Sequence, residues 1–499
     1  MSNSRNIADS APVINFIDGV TSNVQTQLDG KATYPSQSGN ADKFLTTNGS
    51  AVSWADLPAS GGVYTATASG AIASGDKIVV NTNGTISAVS GSQIQESISA
   101  QQSTGNTAKP PILVWDSYNN KIVAIYAAWT GSQGKVQSGT ISGETITWSA
   151  QYEFSGSFDN NVVTACFVTD FISTSNINRV AIFYRDASNG YGKMCLIDCS
   201  GATPTRTADN TYYSGNVSDS KVVYDPINKA PVLFYKRGGS YSSIGCIDGS
   251  LTTLNTYPGN YQLNSNSSSN YFDLNYDSTT KKCVAVYRDG NQSNYLVCRV
   301  MTVASNGGMT LSSEAVLQSS TYNYNAVSHD VESGLNLIIG QESSSTQYLS
   351  MMVDCYGVNP VLEVNPTAMN PQPPSVSAVT TNNIVYNPRL KNHIFFYKSN
   401  NKMLANVLSY NKTTTVTSNN AAFEVHVSGQ KNERQSLVYN PIAEKVMFGF
   451  HQNVDDNAVV YFYNQFETIT NLTQNNWIGV SNAAYADGVS AEIKTRGSI

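Results

Sequence analysis

Charge is scarce in this chain: 13% of its 499 residues are Asp, Glu, Lys or Arg, and the formal net charge is −6. A surface that grips nucleic acid needs a basic stripe against phosphate, so no nucleic-acid partner is expected. Histidine is nearly as sparse, with four residues (His329, His393, His426, His451) spread over the chain without HExxH or similar spacing. Neither a GxSxG elbow nor a GxxxxGK[ST] phosphate loop occurs, so the expectation is no cofactor and no metal. The seven cysteines (166, 195, 199, 246, 283, 298, 355) are an odd number and most fall in predicted strands. Buried thiols acting as small hydrophobes and disulfides are both open, the first being favoured by that placement. No apolar run is long enough to cross a bilayer, so no membrane insertion is expected. The opening MSNSRNIADSAP lacks the charged-then-apolar layout of a signal peptide. The expectation is a protein made in a cytoplasm and, if it works outside the cell, delivered by something other than secretion. Long segments with 3.6-residue apolar spacing are missing as well, which sets aside a helical solenoid.

What the chain does have is a repeat. Seven times between Trp115 and Phe450 it writes an apolar run ending in an aromatic, then Asp or Asn, a turn, and a second apolar run ending in an aromatic. Clear copies are VVYDPINKAPVLFY (222–235), LNYDSTTKKCVAVY (274–287), IVYNPRLKNHIFFY (384–397) and LVYNPIAEKVMFGF (437–450). VWDSYNNKIVAIY (114–126) and VSHDVESGLNLIIG (327–340) keep the frame, and a copy ending RVAIFY at Tyr184 has a longer turn. In six copies the Asp or Asn and the closing residue are ten apart: 116/126, 225/235, 277/287, 330/340, 387/397 and 440/450. The closing positions recur at spacings of 58, 51, 52, 53, 57 and 53 residues. A fixed period in this range signals a repeat architecture.

Each unit reads as a hairpin, a third apolar run such as IGCID at 244, and a more polar fourth run such as ETITWS at 144. Four short strands per unit make the blade of a β-propeller. The inner runs are unbroken because neighbouring blades cover both faces, and the polar fourth suits an outer edge. The predicted fold is all-β, a seven-bladed propeller over about 97–474; β-sandwich hairpins alike only in composition are the alternative.

The ends differ. Ile14, Ile17, Thr21, Val24 and Leu28 fall at alternating three and four spacing, the seam of a coiled coil. Such a helix is too short to stand alone in water. Either identical helices bundle through Ile14, Ile17, Val24 and Leu28, or one amphipathic helix docks on its own chain. After it comes GKATYPSQSGNADKFLTTNGSAVSWA (30–55). With Gly39, Asn40, Lys43, Leu45, Thr46, Asn48, Gly49 and Trp54 in place, this run resembles a module of tail-fibre and tail-associated adhesin proteins of tailed bacteriophages, especially those of cyanobacteria and other marine bacteria. DGVTSNVQTQLDGKA (18–32) resembles the trimerising helix that goes with it. The resemblance covers about a tenth of the chain and implies a homotrimer on the virion tail. Its N-terminal side would face other tail or baseplate proteins and its C-terminal side the host. Two further segments, 63–87 and 475–499, look like halves of a small β-module of marine phage tail proteins. Their pairing would clamp the ring, whose edge strands are otherwise exposed. The expected organisation is an attachment and trimerising segment (1–33), a stem module (34–62), a half-module (63–96), the propeller (97–474) and the second half-module (475–499).

Chemistry is hard to find. Asp116, Asp225, Asp277 and Asp330 recur at one repeat position, where Asp and Asn cap turns by accepting from the following backbone. That recurrence favours a structural role over that of the paired carboxylates of a glycosidase. SGETITWS (142–149) only faintly resembles the Asp-box of sialidase propellers and occurs once. Beyond the framework, cations follow the closing aromatics: Arg185, Lys236, Arg237, Arg288 and Lys398. Equivalent positions share one rim, and Arg with Tyr anchors recognition surfaces; solvated hairpin tips are the alternative. Asn/Ser/Tyr-rich loops such as 255–272 have the palette of adaptable binding surfaces, or are unselected surface. The expectation is a non-enzymatic adhesin whose five rim cations help bind a host-surface glycan. A structural tail component and a glycan-cleaving enzyme are the rivals.

Overall fold

The computed structural model describes residues 63–89, 93–128, 131–171, 177–238, 269–345, 347–369 and 477–495. It also describes residue 38 and 43–47, 52–56, 242–247, 254–255, 261–262, 384–399, 402–410, 416–418, 423–426, 436–452 and 457–468. The expected coiled-coil seam (Ile14, Ile17, Val24, Leu28) lies outside these residues. Among the described residues the structure is all-β, with a single short 3-10 turn at Gly290–Gln292 and no α-helix. The chain divides into two compact units, Ile94–Phe466 and a second formed by 1–93 with 467–499.

In the larger unit the strands run as successive four-stranded antiparallel meanders. The first is Ile112–Asp116, Lys121–Ala127, Gly134–Ser142 and Thr145–Trp148. The second begins at Asp159–Val168 and ends in the long strand Thr205–Asp225, whose later half opens the third. The fourth begins at Ser269–Asp277 and shares Ala315–Asp330 with the fifth in the same way. The sixth and seventh begin at Ile384–Asn387 and Ser436–Asn440. Middle strands such as Ala230–Arg237 and Lys282–Asp289 carry unbroken runs of buried residues, whereas Thr145–Trp148 is mostly open. That is the pattern of strands covered on both faces and of an outer edge.

Side chains between consecutive meanders form separate hydrophobic clusters. Ile182 and Val136 belong to the cluster joining the first and second, and Phe183 and Leu233 to the next. The series continues through Phe234 with Tyr287, Val286 with Ile338, Ile339 with Phe395, and Phe396 with Phe448. The last cluster joins Met447 and Phe462 of the seventh meander to Ile122 and Tyr126 of the first. The series is closed, which is the layout of a β-propeller.

Closure is made from the N-terminal side of the ring. The third strand of the seventh meander, Asn457–Thr468, takes its outer partners from Gln93–Ile98 and Gln102–Thr107, with Val459 opposite Ser103. Thr104 Oγ1 donates to Ala458 O at 3.2 Å, and Phe462 N donates to Ser99 Oγ at 3.0 Å. The closing strands thus begin before the ring boundary expected at 97. Within them Glu96 Oε1 is buried without a hydrogen-bond partner among the described residues, and burial pushes this carboxyl up to about 7. Its folded value exceeds the ordinary 4.5, so the protonated form favours the fold. Stability from this group is complete below pH 4.5 and is lost as pH rises to about 7. Glu96→Gln is expected to raise the melting temperature at pH 8 and leave it nearly unchanged at pH 4, by scanning fluorimetry. An equal effect at both pH values would assign the gain to something other than ionisation.

The repeat frame has a local cause. Asp116, Asp225, Asp277, Asp330, Asn387 and Asn440 are buried, and each accepts from backbone N–H groups two and three residues on. Four residues on, Asn120, Lys229, Lys281, Gly334, Lys391 and Glu444 all have φ between 51° and 74°. A type I turn followed by a left-handed residue is the hairpin that keeps its two strands in fixed register. The closing aromatics Tyr126, Tyr184, Tyr235, Tyr287, Tyr397 and Phe450 are consequently all buried. The one exception explains itself: a Cβ on Gly340 would lie 2.7 Å from Tyr322 Cδ1, and that buried ring fills the space.

The seven cysteines are free; Cys166 is half-buried and the other six are buried, as expected of thiols packed as hydrophobes. In the smaller unit, five strands form one sheet in which Val63–Thr67 pairs with Ser490–Thr495 and Lys77–Val80 pairs with Trp477–Ser481. Ile78, Ile86, Ala491 and Ile493 form its buried core. The strands Lys43–Thr47 and Val52–Asp56 make a separate hairpin with Leu45 opposite Trp54.

Candidate functional site

The cations that follow the closing aromatics sit at the end of the second strand, away from the Asp turns. Arg185, Lys236 and Arg288 pair with Gly192, Ser242 and Leu296 next to the connection to the third strand. Register therefore places them on one face of the ring. Arg185, Lys236, Arg237 and Arg288 are half-buried, and Arg185, Lys236 and Arg288 each reach into the following strand system, so none of these four is a freely solvated hairpin tip. Arg185 forms an ion pair with Asp159 and its Nη1 donates to Val217 O at 3.1 Å. Lys236 Nζ donates to Asn270 Oδ1 at 2.7 Å, and Arg288 Nη1 donates to Asn323 Oδ1 at 2.6 Å. Arg237 lies over the Tyr213 ring at 4.9 Å from its centroid. The side chain of Lys398 lies outside the described residues.

Two aromatic residues that sequence reasoning passed over complete this region. Tyr271 and Tyr324 occupy bulges within the first strands of the fourth and fifth meanders, Ser269–Asp277 and Ala315–Asp330. Their rings meet edge to face at 5.0 Å, and the Arg288 guanidinium lies 4.7 Å from the Tyr271 centroid. Both have positive φ, 50° and 53°. For a bulky residue that conformation is strained, costing on the order of 1–3 kcal/mol. The signal was present: Asn270-Tyr271 and Asn323-Tyr324 recur 53 residues apart. Lys236 is held below the ordinary lysine range by burial and by the charge of Arg288, against the opposing pull of Asp219. Two cations that feel each other beside the exposed Tyr271 ring favour an anion with apolar or hydroxyl-bearing surface.

On the turn face, Thr279 Oγ1 lies 3.1 Å from His329 Nε2, and His329 Nδ1 lies 3.5 Å from Asp277 Oδ1. The order resembles a hydrolytic triad. In the third meander, however, Tyr224 occupies the same repeat position and makes the same backward contact, its hydroxyl donating to Asp170 O at 2.7 Å. His329 therefore replaces the repeat aromatic as an inter-meander link, as its sequence position suggested. Burial keeps its pKa below the ordinary histidine value, and burial takes that of His393 down to about 3. Among the described residues no group of three or more His, Cys, Asp or Glu could hold a metal ion.

No protein-family model and no curated protein matches the chain. Solved structures do resemble it. The BP39L lectin from Burkholderia pseudomallei superposes with a TM-score of 0.50 at 9% identity, over 72% of this chain and 99% of that one. A periplasmic gluconolactonase of Pseudomonas aeruginosa gives 0.45 at 11% identity, over 63% and 85%. The Dos1 propeller gives 0.39 at 11% identity, over 78% and 81%. At these identities the likeness to the lectin speaks for the fold alone.

Proposed function

We propose that the protein is a receptor-binding adhesin of a bacteriophage tail, binding a host-surface glycan through one face of a seven-bladed propeller. The observation that carries the glycan reading is the face holding Arg185, Lys236, Arg237 and Arg288 with Tyr213, Tyr271 and Tyr324. Guanidinium groups over aromatic rings offer planar donors beside flat apolar surfaces, the two things a sugar presents partners for. The lectin whose fold this ring resembles supports the same reading. The virion role rests on the tail-fibre resemblance of residues 30–55. A homotrimer carried by the N-terminal seam would multiply weak single-head affinity through effective concentration.

The test is competition: purified protein is added to host cells before phage, and adsorption is counted. Dose-dependent blocking is the expected result. A folded protein that neither binds the cells nor blocks adsorption would transfer the ring to a structural role in the tail or baseplate. Release of reducing ends from host polysaccharide would make it a glycan-cleaving enzyme instead.

A further inference from the structure

The strain at Tyr271 and Tyr324 is not imposed by the bulge they occupy, although Tyr324 also packs against the hydrophobic cluster of the fifth and sixth meanders. In the second and third meanders the corresponding bulges, between Asp159 and Val163 and between Val217 and Asp219, hold no residue with positive φ. The ring fold therefore does not demand a left-handed residue there, still less a left-handed tyrosine. Yet this feature appears twice, at the same repeat position of adjacent meanders, and brings the two rings edge to face with Arg288 over that of Tyr271. Strain of this kind survives where a side chain has to be presented in one place.

The neighbourhood is polar and cationic. Lys236 from the third meander is tied to Asn270, and Arg288 from the fourth is tied to Asn323 of the fifth. Both asparagines immediately precede the strained tyrosines, so each cation and each ring is fixed by the same short segment. Tyr271 keeps 36% of its surface exposed although Arg288 covers one side. The result is a rigid, half-open ring face with an ammonium and a guanidinium on its rim, drawn from three consecutive meanders. Asp219 is the carboxylate whose charge bears on Lys236.

We infer that Lys236, Arg288, Tyr271 and Tyr324, with Asn270 and Asn323 as their supports, form a subsite for an acidic sugar residue, whose carboxylate meets the cations while its ring lies against the tyrosines. This rests on the glycan-binding reading above and narrows it to a charge class and a place. A rigid site loses little side-chain entropy on binding, so the strain acts as preorganisation. Arg-to-carboxylate contact also implies weakening by salt.

The experiment uses the full chain on a glycan array carrying uronate- and sialate-containing oligosaccharides beside their neutral, carboxyl-reduced counterparts, with phage adsorption measured in parallel. The expected result is binding to acidic glycans that falls at least tenfold in Arg288→Gln and in Tyr271→Gly, and weakens with added salt. Tyr271→Gly is further expected to raise the melting temperature, because glycine takes positive φ freely. That combination, a more stable protein that binds less, separates presentation of a ligand site from a purely structural role. Array binding confined to neutral glycans would overturn the acidic assignment and leave glycan binding standing. Adsorption blocked equally by the wild type and by both variants would overturn the subsite and leave the adhesin standing. Blocking by none of them would remove the parent reading, and the subsite with it.

Discussion

Phe234→Ala is expected to lower the free energy of unfolding by about 3–5 kcal/mol, the range for removing a fully buried phenylalanine. Phe234 lies in the second strand of the third meander with no exposed surface. Its ring stacks on Phe272 at 4.1 Å and meets Tyr287 edge-on at 5.7 Å, both across the interface to the fourth meander. Ala230, Val232, Cys283 and Ala285 of that cluster are short and already packed, so they cannot fill the space. Two costs therefore add, the lost transfer of the ring from water and the cavity left behind. Equilibrium denaturation in urea checks the value, and Phe234→Leu should recover more than half of it. A loss below about 1 kcal/mol would mean that adjacent meanders slide together and that the interface is more plastic than close packing implies.

Asp277→Ala is expected to be comparably severe, about 3 kcal/mol or more, because several buried donors lose their partner at once. Asp277 Oδ1 accepts from Thr279 N and Thr280 N at 2.9 Å each, and Oδ2 accepts from Asn336 Nδ2 at 2.8 Å. The first pair holds the turn of the fourth meander, and the third bond ties it to the fifth. Asp277→Asn should be milder, since Asn387 and Asn440 hold the same turn elsewhere in the ring. Asn336 would then have to turn its amide so that its unpartnered Oδ1 accepts from the new NH₂, as Gln465 Oε1 accepts from Asn387 Nδ2. A double-mutant cycle with Asn336→Ala separates the two parts. Coupling near zero would confine the role of Asp277 to its own turn.

The two residues illustrate what was legible. Asp277 announced itself by recurring ten residues before a closing aromatic, and the turn geometry accounts for that spacing. Phe234 announced only that it was apolar in an apolar run; that it meets Phe272 depends on how one meander rests on the next. The rim cations were legible by position, but their bonds to Asn270 and Asn323 were not, because those partners belong to a different repeat. Tyr271 and Tyr324 were visible as a pair 53 residues apart, yet their backbone conformation has no signature in composition. The coiled-coil seam at Ile14, Ile17, Val24 and Leu28 lies outside the described residues.

The sequence by itself determined the all-β class, the repeat and the turn residues, because each depends on contacts within about a dozen residues. Only the tertiary structure decided which strand completes the seventh meander. Gln102–Thr107 and Asn457–Thr468 lie some 350 residues apart, and any polar edge strand satisfies the local pattern equally well. It also decided that His329 is a link between meanders, and that two strained tyrosines meet, one of them under Arg288. Local chemistry selects strands and turns; which of them become neighbours is settled by burying every inner face at once, and the ring does that only when it closes.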